Sequence, residues 1–246
     1  MKSLMGWDTA WTPTGTSAWA IAVEEGGEWR VTALENGAED PKLLLHRLRG
    51  WLDRYSFDLL ALDLPLAKTP ITGYREADRA ATRAWSRFGC PVHSPSPARP
   101  GSWGRELQSL LGSHGYQIST QGLQGKDVVE VYPHTVCLEI LRLSYRYPYK
   151  LQRAGRFWPD LSPAERREKI LDQWQLLLNT LGQNLQLPDL NLPKEGDPLK
   201  DWKRCEDRLD ALLCVRAGIQ ILEGAYVPHG DEDAAIWGPE LGRLKP

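Results

Sequence analysis

Five carboxylates stand at positions where their chemistry matters. Asp8, Asp63 and Glu130 interrupt apolar runs at residues 3 to 10, 57 to 64 and 127 to 133, each of which reads as a strand. A charge is rarely buried unless it is paired or coordinates an ion, so these positions carry information. Asp207 and Asp210 follow at i, i+3 spacing, which puts both side chains on one face of a predicted helix. Gathered together, such groups repel one another and partly protonate, whereas hard ions such as Mg²⁺ or Mn²⁺ accept carboxylate oxygens. Two such ions about 3.5 to 4 Å apart activate water and stabilise the leaving oxygen of an in-line phosphodiester cleavage. Asp8, Asp63, Glu130, Asp207 and Asp210 are therefore the expected metal ligands and catalytic residues of a metal-dependent nuclease using two metal ions. Plainer roles exist for most of them. Asp8 before Thr9 can cap a turn, and Asp63 before Pro65 can end a strand. Asp207 and Asp210, beside Arg204 and Arg208, can form a solvated face of local ion pairs.

Two basic segments could meet a phosphate. Arg75, Arg79 and Arg83 sit with Asp78 on a helical stretch, and arginine forks bind phosphate oxygens in pairs; their spacings of three and four equally fit a helix surface laced with ion pairs. Residues 144 to 160 interleave Arg146, Lys150, Arg153 and Arg156 with Tyr145, Tyr147, Tyr149, Phe157 and Trp158, and hold no acid before Asp160. That pattern suits stacking on bases with cations on phosphates, or else an amphipathic surface. The expected substrate-binding residues are Arg75, Arg79, Arg83, Gln121, Lys150, Arg153 and Arg156. His134, which follows Tyr132 and Pro133, either reaches the acidic pocket or caps a helix. No histidine is spaced with a cysteine as a zinc site needs, and neither a Walker A sequence nor a G-x-G-x-x-G fingerprint is present.

The elements that must position these groups are legible in outline. Strands at residues 17 to 23 and 28 to 34, around the turn Glu25-Gly26-Gly27, make an antiparallel meander with the first. A helix starting at Asp40-Pro41 leads to the buried fourth strand, giving the order β-β-β-α-β. A helix at 74 to 88 precedes a proline-rich loop from Cys90 to Gly104; the Glu130 strand leads into a helix at about 134 to 143. Helices at 163 to 181 and 201 to 223 flank a proline-rich linker at 187 to 200, and the tail, with AIWGPE at 235 to 240, reads as irregular. At 246 residues and 41% hydrophobic, the chain supports one core, so one domain over 1 to 246 is expected, with a helical and basic insertion at about 144 to 200. The formal charge of −2 provides no broad positive field, so any polyanion contact must be local. Cys90, Cys137, Cys205 and Cys214 lack disulfide-scaffold density, the N-terminus lacks the apolar core of a signal peptide, and no apolar run reaches the length of a membrane span. A soluble, cytoplasmic protein with free thiols is the expectation.

In order along the chain, GWDTAW (6 to 11), LDLPLA (62 to 67), the run of Arg75, Asp78 and Arg83, and FGCPVHSPSP (88 to 97) resemble one family. GYQISTQ (115 to 121), VVEVYPH (128 to 134), YKLQRAGR (149 to 156) and DRLDAL (207 to 212) continue the likeness. It is the family known as domain of unknown function 429, predicted RNase H-like nucleases. The resemblance implies an RNase H-like α/β fold, a mixed sheet of three antiparallel strands followed by parallel strands and flanked by helices. It implies acidic site positions at Asp8, Asp63, Glu130, Asp207 and Asp210, and DNA or RNA as partner. Trp7 and Trp11 flank the first aspartate where smaller residues are usual, and Ala67 and Lys68 stand where glycine is common. A non-catalytic RNase H-like module that binds nucleic acid or protein is the alternative.

Overall fold

The computed structural model describes residues 1–12, 15–37 and 40–244. β1 (Ser3–Asp8), β2 (Ala18–Glu25) and β3 (Glu28–Asn36) form the antiparallel meander. Its second turn rests on Gly26 and Gly27 at φ +63° and +87°, the pair of positive values that a two-residue hairpin of this twist requires. α1 (Pro41–Arg54) then crosses over, and β4 (Leu59–Asp63) returns parallel to β1. The register places Asp8 directly beside Asp63.

α2 (Glu76–Trp85) and α3 (Gly101–Ser113) precede the two-residue β5 (Gln117–Ile118) and β6 (Asp127–Val131), which is parallel to β4. α4 (Pro133–Ile140), the single-turn α5 (Ala154–Phe157), α6 (Pro163–Leu181) and α7 (Leu199–Leu222) follow. β7 (Tyr226–Gly230) and β8 (Ala235–Pro239) close the chain. The eight strands form one mixed sheet, ordered β3-β2-β1-β4-β6-β8-β7, with β5 on the edge of β6 that β8 takes further along.

Two expectations fail here. The tail is a hairpin whose β8 joins the sheet between β6, to which it is parallel, and the edge strand β7. Every residue of β8 is buried, so its sequence lacks the alternation that marks a half-exposed strand. The loop expected to run to Gly104 ends sooner, because α3 begins at Gly101, directly after Pro100; the prolines before it confine the irregular stretch.

Alternation divides the core into layers. Leu4, Ala18, Ala20, Leu59, Ala61, Val129 and Val131 face α4, α6 and α7, whereas Met5, Trp7, Trp19, Leu60, Leu62 and Val128 face α1 and α3. α7 lies close on β1. A Cβ at Gly6 would stand 2.4 Å from the Val215 backbone nitrogen and 2.6 Å from the Ala211 carbonyl oxygen, so only glycine admits this approach. That contact brings the acidic turn of α7 to the end of β1.

Candidate metal centre

Asp8 continues the face of Leu4 and Gly6, and Asp63 that of Leu59 and Ala61, so both carboxylates point toward α7 at the strand ends. On α7, Lys203, Glu206, Asp207 and Asp210 recur at helical spacing and form one stripe. Single oxygens of Asp8, Asp207 and Asp210 all lie within 4.8 Å of one another. Asp207 and Asp210 are fully buried.

Part of this charge is answered within the protein. The Lys150 ammonium bonds Asp210 and lies 3.9 Å from Glu206 Oε1; Lys203 bonds Asp207 and donates to Glu206 Oε1 at 3.1 Å. Tyr149 donates its hydroxyl to Asp210 Oδ1 at 2.6 Å, and the Leu151 amide donates to Glu206 Oε2 at 2.6 Å. Asp207 Oδ2 is buried with no hydrogen-bond partner. Burial, and then the neighbouring Asp210, hold Asp8 well above the usual carboxylate range despite Lys150. Burial and Asp210 push Asp63 up to about 7. Burial also lifts Asp210 against the pull of Lys150, whereas at Glu206 the two lysines outweigh burial and bring it below its ordinary value. Lys150 is raised: burial opposes its charge, but Asp210, Glu206 and Asp8 prevail. Five carboxylates thus share two ammonium groups, and their shortage of positive charge is the kind that a divalent cation meets.

Glu130 has a different environment. Its neighbours Val129 and Val131 face the α7 layer, so alternation turns Glu130 the other way. There it accepts from Arg75 Nη1 and Nη2 at 2.6 and 2.9 Å and from the Leu66 amide at 2.9 Å. Arg75 is itself buried, clamped on Asp78 through Nη2 at 2.6 Å, and donates to the Leu66 carbonyl at 2.7 Å. Both are committed to this brace. Arg79 and Arg83 are exposed and pair with Glu76 at 3.6 and 2.6 Å.

A cavity of about 390 Å³ opens beside the acids, bordered by Trp11, Asp63, Glu130, Glu206, Lys150 and Lys203 and by the cationic residues Arg146 and Arg153 with His93 and His134. Gln121 and Arg156 are exposed and border other surface. Trp7 turns into the opposite core layer against Trp19, at 6.0 Å and 83° between rings, so it does not obstruct the cavity; Trp11 borders it and donates to the Asp63 carbonyl at 3.3 Å. Sequence reasoning misses Lys203 and Glu206, although their i, i+3, i+4, i+7 pattern with Asp207 and Asp210 is a signal that could find them. It places Lys150 on a phosphate; the Lys150 ammonium lies among the acids and also borders the cavity.

All four cysteines are free and buried, and no helix among the described residues is long and apolar enough to cross a membrane. Fold and site define a class: an α/β protein with a helix-flanked mixed sheet that carries an acidic cluster at the ends of its parallel strands. The chain belongs to the family described as "Protein of unknown function (DUF429)", whose profile matches residues 6–235. No curated protein and no solved structure matches it.

Proposed function

We propose that the protein is a Mg²⁺- or Mn²⁺-dependent nuclease of RNase H-like fold, hydrolysing phosphodiester bonds at the Asp8 cluster. The observation that carries this reading is the unpartnered, buried Asp207 Oδ2 within a triad of carboxylates from two elements. Most buried polar groups are hydrogen-bonded, so a bare carboxylate oxygen among other carboxylates calls for an explanation, and a bound cation supplies one. The meander, the crossover helix and the parallel β4 support the fold assignment, because that order is the one the family resemblance implies.

Asp8, Asp207 and Asp210 would hold the ion, with Asp63 beside them. Once bound, such an ion supplies Lewis-acid stabilisation of a phosphoryl oxygen and a water nucleophile at neutral pH. The chain's own groups do the rest. Tyr149 fixes the Asp210 carboxylate by holding Oδ1. Lys150 borders both the acids and the cavity, which puts a positive charge beside an entering phosphate. Glu130, with Arg75, anchors the backbone at Leu66 and acts as a brace instead of a ligand.

Purified protein assayed on single strands, hybrids and branched DNA with Mn²⁺ tests this. Cleavage lost in both Asp8→Asn and Asp207→Asn supports it, and cleavage that survives either substitution refutes the site. One observation favours a second reading, a non-catalytic nucleic-acid or protein-binding module: Lys150 and Lys203 already answer part of the acidic charge. It predicts that Mn²⁺ leaves the melting temperature unchanged.

A further inference from the structure

The cationic wall of the cavity carries residues whose donors have nothing to donate to. A guanidinium has no acceptor atom, so in the contact between Arg146 and His134 Nε2 the arginine donates and the imidazole accepts. The ring is then neutral with its proton on Nδ1. Its surroundings agree: burial, followed by Arg146, Lys150, Arg153 and His93, holds His134 well below the ordinary histidine value. That Nδ1–H is buried and unpartnered, and so is the Nε–H of Arg146. His134 is only 4% exposed and borders the cavity.

The charge on this wall is unbalanced as well. Among the described residues no carboxylate pairs with Arg146 or Arg153, and the Arg153 side chain makes no hydrogen bond. Burial, then Arg146 and Arg156, lower the Arg153 pKa, as expected where cations crowd without anions. Two guanidinium groups without a carboxylate partner, His93 and His134 border one cavity, and the Arg146 Nε and His134 Nδ1 donors lie buried behind its surface without acceptors. A phosphate monoester satisfies such a set best, because it has three terminal oxygens and up to two charges, whereas an internal diester has two oxygens and one charge. At about 390 Å³ the cavity is of small-ligand size, and Trp11 and Tyr132 on its walls give a nucleobase a flat apolar partner.

We infer that Arg146, Arg153 and His93, with His134 accepting from Arg146 and so positioning it, form a subsite for a terminal phosphate, so that the protein reads a phosphorylated nucleotide or strand end. The nucleotide part of this inference rests on the nuclease reading; the phosphate part does not. The test is therefore made in EDTA, without metal or turnover, by calorimetry and thermal shift. The probes are inorganic phosphate, thymidine, thymidine 5′-monophosphate, and an oligonucleotide bearing a 5′-phosphate, a 3′-phosphate or hydroxyl ends. Inorganic phosphate and the monophosphate are expected to bind and thymidine to bind at least tenfold more weakly. Arg153→Gln, which removes no hydrogen bond, should weaken the monophosphate about tenfold, and Arg146→Gln should weaken it further. Tighter binding of a phosphorylated oligonucleotide than of the monophosphate identifies a strand end as the source; the reverse identifies a free nucleotide. Equal binding of thymidine and its monophosphate, or unchanged affinity in Arg153→Gln, overturns the subsite. A Mn²⁺ response with no phosphate binding defeats this inference alone; phosphate binding with no Mn²⁺ response defeats the nuclease reading alone.

Discussion

Two buried ionic clusters lie close together in this protein, and they are built on opposite terms. In the brace, Arg75 meets Asp78 and Glu130 with four charge-assisted hydrogen bonds to their carboxylate oxygens from its Nε and Nη atoms, and the Leu66 amide and carbonyl complete the set. At the acidic centre, Asp8, Asp63, Glu206, Asp207 and Asp210 share Lys150 and Lys203, and Asp207 Oδ2 has no partner. Burial alone thus does not mark function. A buried carboxylate whose hydrogen bonds are complete holds the fold, and one left short of them is open to a ligand.

The sharpest way to break this contrast is Arg75→Met. It strands two buried carboxylates and should cost ~3–5 kcal/mol in urea denaturation, by the same amount with and without Mn²⁺. A loss that Mn²⁺ rescues would make the brace part of the metal centre.

Asp63→Asn should act in the opposite direction in metal-free protein. Folded Asp63 titrates at about 7 and its ordinary value is 3.8, so the folded state binds the proton more tightly. Its favourable contribution is complete below the ordinary value and is lost as pH rises through about 7. The variant should therefore exceed wild type by up to ~4 kcal/mol at pH 8, with the gain vanishing below pH ~4. Urea midpoints in EDTA across that range check it, and a gain that persists at low pH would deny the repulsion.

Mn²⁺ at a hundredfold excess over its Kd should stabilise the wild type by ~2.7 kcal/mol. Asp207→Asn should remove that gain, whereas Arg79→Ala should keep it, as thermal shifts would show. The smallest effect belongs to Arg83→Ala. Arg83 is exposed and bridges to the half-buried Glu76, and its loss should leave the urea midpoint unchanged within error.

Much of the fold is legible in the amino-acid sequence. The helix Pro163–Leu181 begins where Ser162 and Glu165 cap each other, a purely local signal. The meander follows from apolar runs and the Gly26-Gly27 turn. Glu130 is legible as a buried strand position, but its face is not: which way a charge between two valines points depends on the parity of the neighbouring strands, and here it meets Arg75. β8 is illegible because a strand buried on both faces carries no period, and its parallel partner β6 lies far back along the chain. The helix at Gly101–Ser113 is obscured by the prolines that precede it.

The amino-acid sequence by itself determined where charges interrupt apolar runs, where most of the strands and helices lie, and that Asp207 and Asp210 share a helical face. Those properties depend on residues a few positions apart. Which charges meet was decided only by the tertiary structure. Asp8 and Asp63 become neighbours through the parallel register of β1 and β4, and α7 reaches them because Gly6 lets it approach. Lys150 answers Asp210 from 60 residues away. Opposite charges attract over a few ångströms whatever their separation along the chain, so the packing of distant segments sets which of them are balanced and which stay open to a ligand.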